Sequence, residues 1–283
     1  MMISIGEALT EATLLLRDAG VPEARREAGS ILSFIIGKDR TFLISHAEDQ
    51  LSDESFGRYQ ELLERRGSGE PIQYITGVQD FFGRAFRVTP DVLIPRPETE
   101  LLVEAAIELI DSEAFICDVG TGSGCIAVTM LCELRGARAV AVDTSAAALE
   151  IAKRNARDHE VFERIEFAIS DCFSALDASQ YQFDIVVSNP PYVSAAAIEG
   201  LQREVRDHEP LVALSPGPDG LTVIRRLMID APSFLKPEGF LIMEIGFDQG
   251  EAVTSLVDDK VWRLCDIKSD LQSIPRIVIL RKN

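Results

Sequence analysis

The four residues Asn189-Pro190-Pro191-Tyr192 follow an apolar run at residues 183–188 and carry the strongest chemical signal in the chain. Proline fixes φ at about −65° and has no N–H, so this turn is rigid and nearby carbonyl groups stay available as acceptors. Asn189 adds a side-chain carbonyl, and Tyr192 adds a flat aromatic face. Acceptors beside an aromatic wall suit a planar NH₂ group, whose nitrogen lone pair they can aim at an electrophile. The pattern indicates methyl transfer to an amide or exocyclic amine, although Asn and Pro alone also commonly end a strand.

A glycine-rich loop lies upstream at residues 118–124, with the sequence Asp-Val-Gly-Thr-Gly-Ser-Gly. Glycines allow tight turns and close approach of a ligand, and the N-terminus of the following helix offers free N–H groups. Residues 122–127 also fit the relaxed dinucleotide pattern G-x-G-x-x-A, and a loop without any ligand is a third interpretation. Asp118, directly before the first glycine, is typical of S-adenosylmethionine loops and unusual for NAD.

Two acids, Asp143 and Asp171, end the second and third predicted strands. The carboxyl ends of such strands line the usual ligand crevice of an open α/β sheet. Asp143 is placed to take the two ribose hydroxyls of a nucleoside, and Asp171 to accept from an adenine amino group. Each acid by itself could also cap a helix. Because the Asn-Pro-Pro-Tyr turn has no use in hydride transfer, the set favours S-adenosylmethionine over NAD.

Composition narrows the class of protein. The chain has 283 residues, 46% of them apolar and 26% charged, as in ordinary globular proteins. The net charge of −18 argues against direct nucleic-acid binding and favours a small molecule or a basic protein partner. Five scattered cysteines and three separated histidines predict reduced core thiols and no metal site. No secretory signal or membrane-length apolar run is apparent, so we expect a cytoplasmic protein without membrane contact.

Hydrophobic periodicity predicts two kinds of architecture along the chain. Residues 1–66 show four helical patterns, and residues 81–88 alternate as a β-hairpin does. From residue 115 short β-rich runs alternate with helices, which predicts a doubly wound, mainly parallel, Rossmann-like α/β sheet. The predicted strands are residues 115–119, 139–142, 166–169, 183–187 and 240–245, with a terminal antiparallel pair at 261–267 and 276–280.

Several longer motifs resemble the HemK/PrmC family of class I S-adenosylmethionine-dependent methyltransferases. They are Pro-Ile-Gln-Tyr-Ile-Thr-Gly at 71–77, Phe-Gly-Arg-Ala-Phe-Arg-Val at 82–88, Leu-Ile-Pro-Arg-Pro-Glu-Thr-Glu at 93–100, and Glu209-Pro210 with Ala213-Leu214. The resemblance covers essentially the whole chain. Those enzymes methylate the side-chain nitrogen, N5, of a glutamine in peptide chain release factors. The resemblance thus implies a helical substrate-docking domain at 1–70, a linker and hairpin at 71–98, and a methyltransferase domain at 99–283.

The resemblance also implies roles for individual residues. Cofactor-binding residues would be Gly120, Thr121, Gly122, Ser123, Gly124, Asp143, Asp171, Cys172 and Asn189; substrate-binding residues would be Asn189, Pro190, Pro191 and Tyr192; catalysis would fall to Asn189, Pro190 and Tyr192, without a metal. Cys172 stands where a bulky aromatic often flanks the adenine, so that role could pass to Phe173. The Arg96–Glu100 stretch either approaches the active site or braces the junction between domains.

Two other functions remain open at the level of residues. Asn-Pro-Pro-Tyr is shared with methyltransferases that act on exocyclic amines of DNA or rRNA bases, which would work on a flipped or unpaired base. A non-catalytic adapter that binds S-adenosylmethionine is the alternative of another class. The acidic balance weighs against the first, and the intact amine-binding turn weighs against the second.

Overall fold

The amphipathic segments at the start of the chain form a helical unit with its own apolar core. A computed structural model describes residues 3–283, of which those up to 78, together with residues 202–208, form one compact unit. Its N-terminal helices are α1 (Ile5–Asp18), α2 (Ala24–Ile36), α3 (Arg40–Ser45), α4 (Asp53–Gly67) and α5 (Ile72–Thr76). Four of them match the predicted helices. Helix α5 occupies part of the predicted linker, because Ile75 packs into the same core as the other helices.

A buried ion pair lies inside this helical unit. The side chain of Arg66 on α4 is 2% exposed and pairs with Glu27 on α2 and with Glu204 in the 202–208 segment. The neighbouring Arg65 pairs with Glu70 but is 42% exposed. A charge removed from water in this way needs its partner, because an unpaired buried charge is costly. The Arg66 contacts therefore explain why a segment distant in sequence belongs to the N-terminal unit.

The predicted hairpin is present at the next step along the chain. Strands β1 (Val78–Phe81) and β2 (Arg84–Arg87) form a two-stranded sheet. Phe82 and Gly83 between them have φ of 52° and 70°. Two central residues with positive φ are the signature of the type I′ turn, whose twist suits a two-residue hairpin.

The second unit, residues 79–201 and 209–283, contains the predicted doubly wound sheet. After a 3₁₀ turn at Pro97–Thr99, the remaining elements in chain order are α6 (Glu100–Leu109), β3 (Phe115–Val119), α7 (Cys125–Glu133), β4 (Arg138–Asp143), α8 (Ala146–Asp158), β5 (Ile165–Ile169), β6 (Phe183–Ser188), α9 (Arg203–His208), α10 (Leu211–Leu214), α11 (Thr222–Phe234), β7 (Leu235–Glu244), α12 (Gly250–Thr254), β8 (Trp262–Ser269) and β9 (Pro275–Lys282). Of these elements, α9 belongs to the first unit. The sheet order is β5-β4-β3-β6-β7-β9-β8. Strands β3 to β7 pair in parallel, and β9 runs antiparallel to β7 and β8. The predicted fold class is confirmed.

Both faces of this sheet are covered. Ile116 belongs to the apolar core on one face and Cys117 to the core on the other, as the period of two in a strand requires. This burial explains why the strands read as nearly continuous apolar runs. The chain passes from β3 outward to β5 and then returns to β6, on the other side of β3. A reversal of this kind opens a crevice at the carboxyl ends of the strands.

The segment between β6 and α11 differs from the sequence prediction, which placed no element there. It contains a 3₁₀ helix at Ala195–Gly200 and the short helices α9 and α10. These helices have six and four residues. Such lengths are too short for a helical hydrophobic period to stand out from the pattern of an irregular loop.

The Arg66 pair allows a direct test of charge burial. Replacing Arg66 by Met should lower the free energy of unfolding by about 3–5 kcal/mol, because Glu27 is left buried without its partner. The matched change Arg65→Met, at the half-exposed pair with Glu70, should cost only about 0.2–1 kcal/mol. Urea unfolding followed by circular dichroism measures both values. Equal losses for the two variants would contradict this account.

Candidate active site

The Asn-Pro-Pro-Tyr turn follows the carboxyl end of β6, and hydrogen bonds to neighbouring segments hold it in place. The Ser188 hydroxyl donates to the Val119 carbonyl at 2.7 Å, which ties the end of β6 to the end of β3. Gln249 Nε2 donates to the carbonyls of Tyr192 at 3.0 Å and Gly220 at 3.3 Å. Gly220 has φ +72°, and a Cβ there would stand 2.2 Å from the Tyr192 carbonyl oxygen. The conformation of the turn therefore depends on a glycine at position 220.

The glycine loop leaves the adjacent strand β3 with three left-handed residues. Gly120, Gly122 and Gly124 have φ of 73°, 55° and 80°. At Gly120 an added Cβ would meet only open space, so its lack of a side chain leaves room for a ligand. At Gly124 a Cβ would lie 3.0 Å from the Cβ of Ala152, so this glycine serves the packing of α7 against α8.

Asp118 anchors the loop from inside the protein. It is fully buried, and its Oδ2 accepts from the Thr121 hydroxyl at 2.6 Å and from the Ala127 N–H at 3.2 Å. Its Oδ1 is buried without a hydrogen-bond partner among the described residues. Burial raises the pKa of Asp118 to about 6. Asp118 thus shapes the loop and does not line its ligand side.

Asp143 binds the same loop from the end of β4. Its Oδ2 accepts from the Gly122 N–H and its Oδ1 from the Ser145 N–H, both at 2.9 Å. The cap of α8 is supplied by Ser145, whose hydroxyl accepts from the Ala148 N–H at 3.1 Å. Each carboxylate oxygen carries a second lone pair, so Asp143 can still accept two ribose hydroxyls.

Asp171 and Cys172 follow β5. The Asp171 carboxylate accepts from Arg226 Nη1 at 2.8 Å through both oxygens. Cys172 is buried with φ 51°, and burial raises the pKa of its thiol to about 11, so it is neutral. Phe173 stacks on Phe234 at 4.7 Å within the core. Of the two candidates for the adenine wall, Cys172 is the one that lines the pocket.

One pocket gathers most of the predicted residues at the carboxyl ends of β3 to β6. The predicted residues that line it are Gly120, Thr121, Gly122, Ser123, Asp143, Asp171, Cys172, Asn189, Pro190 and Pro191. Gly124 and Tyr192 are outside this lining in the described part of the chain. Pro95, Arg96 and Thr99 also line the pocket, so the Arg96–Glu100 stretch does approach the site. Arg96 Nη2 donates to Glu209 Oε1 at 2.6 Å.

Sequence reasoning missed two residues behind Asn189. Thr99 stands directly before α6 but makes no side-chain cap; it instead donates from Oγ1 to Glu244 Oε2 at 2.6 Å. Asn189 Nδ2 donates to the same Thr99 oxygen at 3.0 Å, and the Tyr192 hydroxyl donates to Glu244 Oε1 at 3.1 Å. Burial raises the pKa of Glu244, which is 1% exposed. A charged residue at the end of the otherwise apolar run 240–245 was the available signal.

Two kinds of feature were not found within residues 3–283. No group of three or more His, Cys, Asp or Glu side chains is arranged to hold a metal ion. None of the helices in that range combines the length and apolar character needed to cross a bilayer.

Comparisons with known proteins agree with this geometry. Residues 7–77 match the PrmC N-terminal domain, and residues 97–205 match the methyltransferase small domain. A 16S rRNA methyltransferase of T. thermophilus, solved in complex with AdoMet and guanosine, superposes with a TM-score of 0.50 at 18% identity, covering 73% of this chain and 49% of that one. Fold and site together define an S-adenosylmethionine-dependent methyltransferase with a Rossmann-like sheet.

The relatives give the particular family. A release factor glutamine methyltransferase of Koribacter versatilis is 42% identical over 282 residues, covering 99% of both chains. One of Cereibacter sphaeroides is 42% identical over 275 residues, covering 97% of both. The chain belongs to the release factor glutamine methyltransferase family.

The position of Asp143 predicts a measurable loss of cofactor affinity. Asp143→Ala should weaken S-adenosylmethionine binding about tenfold or more, since a charged acceptor contributes roughly 1.5–3 kcal/mol. Titration calorimetry measures the affinity, and thermal unfolding checks that the loop remains folded. Asp177→Ala removes an exposed acid outside the pocket and should leave the affinity unchanged. Unchanged affinity in a folded Asp143→Ala protein would contradict a role of Asp143 in cofactor binding. Its only role would then be to hold the loop through its bonds to Gly122 and Ser145.

Proposed function

We propose that this chain transfers a methyl group from S-adenosylmethionine to the side-chain amide nitrogen, N5, of a glutamine in peptide chain release factors. The observation that carries the proposal is the half-buried Asn189 side chain in the pocket beside the glycine loop, with Nδ2 already bonded to Thr99. Full-length similarity to release factor glutamine methyltransferases supports the choice of substrate.

The cofactor fits the residues that line the pocket. We assign the methionine part to Gly120, Thr121, Gly122 and Ser123, with Gly124 holding the helix that follows. Asp143 would bind the ribose, and Asp171 and Cys172 would border the adenine. When bound, the cofactor supplies an activated methyl group on a sulfonium. Because Arg226 already engages the Asp171 carboxylate, the adenine amino group would use a remaining lone pair of that side chain.

An amide nitrogen is a poor nucleophile because its lone pair is delocalised into the carbonyl. We assign the two hydrogens of the substrate NH₂ to Asn189 Oδ1 and the Pro190 carbonyl, which stabilise positive charge growing on nitrogen. Pro191 and Tyr192 would flank the amide plane, with the Tyr192 hydroxyl anchored on Glu244. The new C–N bond forms as the S–CH₃ bond breaks, the nitrogen proton leaves to water, and S-adenosylhomocysteine remains. Holding the two reactants in line supplies much of the acceleration.

The helical domain at residues 1–70 is the proposed docking element for the release factor. The chain carries a net charge of −18, and a partner that works on the ribosome should offer basic surface. Charge complementarity of this kind speeds the encounter between proteins. We propose no direct contact with nucleic acid or membrane, and a cytoplasmic location in keeping with five free cysteines.

Removal of Asn189 tests the amide site. Asn189→Ala should lower kcat about 10²–10³-fold, the usual loss when one transition-state acceptor is removed, while cofactor affinity changes by no more than a few-fold. Radiolabel transfer from S-adenosylmethionine to purified release factor measures turnover, with DNA and rRNA as parallel acceptors. Wild-type turnover by this variant would remove Asn189 from the mechanism. Label on a base, with none on release factor, would favour the base-amine alternative.

Truncation tests the docking role. A truncated chain that starts at Gln79 lacks Arg66, the partner of Glu204, so it also carries Glu204→Gln. This variant should still bind the cofactor but should lose methylation of intact release factor, mainly through a higher KM. Full-length Glu204→Gln is the control for the added substitution. Raising salt should weaken activity of the full-length protein, because exposed charges are screened over about 8–10 Å at physiological ionic strength. If the folded, truncated protein works as well as full length, the helical unit is scaffold.

A further inference from the structure

The Asn189 side chain stands at one end of a hydrogen-bonded chain whose other end is a buried carboxylate. Thr99 and Glu244 are 2% and 1% exposed, so neither can exchange its partner for bulk water. The distances are 3.0 Å from Asn189 Nδ2 to Thr99 Oγ1 and 2.6 Å from Thr99 Oγ1 to Glu244 Oε2. Tyr192, the last residue of the same turn, closes the group by its 3.1 Å bond to Glu244 Oε1.

The chemistry of the terminal group determines where each proton lies. The two Glu244 carboxyl oxygens each lie at hydrogen-bond distance from one hydroxyl, with Thr99 donating to Oε2 and Tyr192 to Oε1, which is the arrangement that the ionised form of the acid requires because it can only accept. A hydroxyl has a single proton, so Thr99 can meet Asn189 only as an acceptor. The group of Asn189 that faces Thr99 must therefore be its NH₂. The amide oxygen is left as the polar atom that Asn189 can offer to a ligand in the pocket.

We propose that Thr99 and Glu244 are positioning residues that orient the Asn189 amide with Oδ1 available to the substrate. This inference rests on the role of Asn189 in the proposed function. An amide oxygen and an amide NH₂ have nearly the same shape, so packing alone discriminates poorly between the two orientations. The buried Glu244 selects one orientation of the Asn189 amide, because it accepts the hydrogen bond of the Thr99 hydroxyl and leaves Thr99 only as an acceptor for Asn189. It commits the site to a planar nitrogen that donates hydrogen bonds, and it disfavours an acceptor such as a carbonyl or carboxylate oxygen.

The groups around Glu244 act on its pKa in opposite directions, and the net shift is upward. Burial and the nearby Glu98 raise its pKa, whereas the bonds from Thr99 and Tyr192 and the charge of Arg276 lower it. A glutamine at this position would have one oxygen and one NH₂ for two partners that both donate. One partner would then have to accept. If that partner is Thr99, its hydroxyl accepts from the glutamine NH₂ and donates its own proton toward Asn189. Asn189 would then turn its Oδ1 toward Thr99 and its NH₂ toward the pocket.

The matched pair Thr99→Val and Thr99→Ser tests the proposal on the full-length protein. Valine has the shape of threonine without the hydroxyl, whereas serine retains it. We expect Thr99→Val to lower kcat roughly 10- to 100-fold on purified release factor, the range for a hydrogen bond that involves a charged group. KM for release factor and the calorimetric affinity for S-adenosylmethionine should stay within a few-fold, since Thr99 acts through Asn189. Thr99→Ser should recover most of the lost kcat. Wild-type kcat in Thr99→Val, or an equal loss in Thr99→Ser, would overturn the proposal.

Glu244→Gln provides an independent variant should Thr99→Val fold poorly. It should also lower kcat, and its effect should shrink when it is added to Thr99→Val, because the link to Asn189 is already broken. Full additivity in this double-mutant cycle would overturn the proposal. Asn189→Ala separates the two levels of inference. If that variant is inactive while Thr99→Val and Glu244→Gln match wild type, only the orientation by Thr99 and Glu244 is wrong. If Asn189→Ala is active, the proposed amide site fails and this inference fails with it.

Discussion

The parallel pairing of β3 with β4 on one side and β6 on the other is the interaction on which the site depends. Asp118 is in register with Val187 on β6 and with Ala141 on β4. This register brings Val119 beside Ser188, whose hydroxyl donates to the Val119 carbonyl. The glycine loop and the Asn-Pro-Pro-Tyr turn therefore leave the sheet side by side. A slip of one residue would turn every side chain of a strand to the opposite face.

The second layer of the site is polar and buried, and its members restrain one another. Gln249 holds the carbonyls of Tyr192 and Gly220, while Glu244 holds the hydroxyls of Thr99 and Tyr192. A buried polar group without a partner is costly, so each such residue needs its neighbours in one arrangement. The Asn-Pro-Pro-Tyr turn is thus held from two directions. Preorganisation of this kind is what electrostatic stabilisation of a transition state requires.

The helical unit is stabilised by a different balance. Its apolar core is supplemented by Arg66, a cation inside the protein that is satisfied by Glu27 and Glu204. Loss of either partner would leave a buried charge unpaired, which is costly. Glu204 lies in the chain segment that follows the Asn-Pro-Pro-Tyr turn. Residues 202–208, for which the sequence pattern predicted no element, are therefore part of the unit formed by the N-terminal helices.

Much of the fold and part of the candidate site could be predicted from the sequence, because the signals for them come from residues close together along the chain. Apolar runs predict the strands, and the alternation of apolar and polar residues predicts the hairpin. Gly and Pro predict the loop and the turn, because their effects on the backbone do not depend on distant residues. Because parallel strands place their carboxyl ends at one edge, Asp143, Asp171 and Asn189 could be assigned to one crevice in advance. Helix α5 and the short helices between β6 and α11 were missed, since their local patterns resemble loops.

Only the tertiary structure decided which partner each polar side chain has. Thr99 stands directly before helix α6, yet its hydroxyl donates to Glu244, 145 positions away along the chain. Asp143 looked like a cap for α8, yet Ser145 has that role and Asp143 binds the Gly122 N–H. A hydrogen bond depends on distance and direction in space, which the order of residues does not contain. The sequence thus indicated most residues of the candidate site, while the hydrogen bond from Asn189 to Thr99 depends on contacts that exist only once the chain has folded.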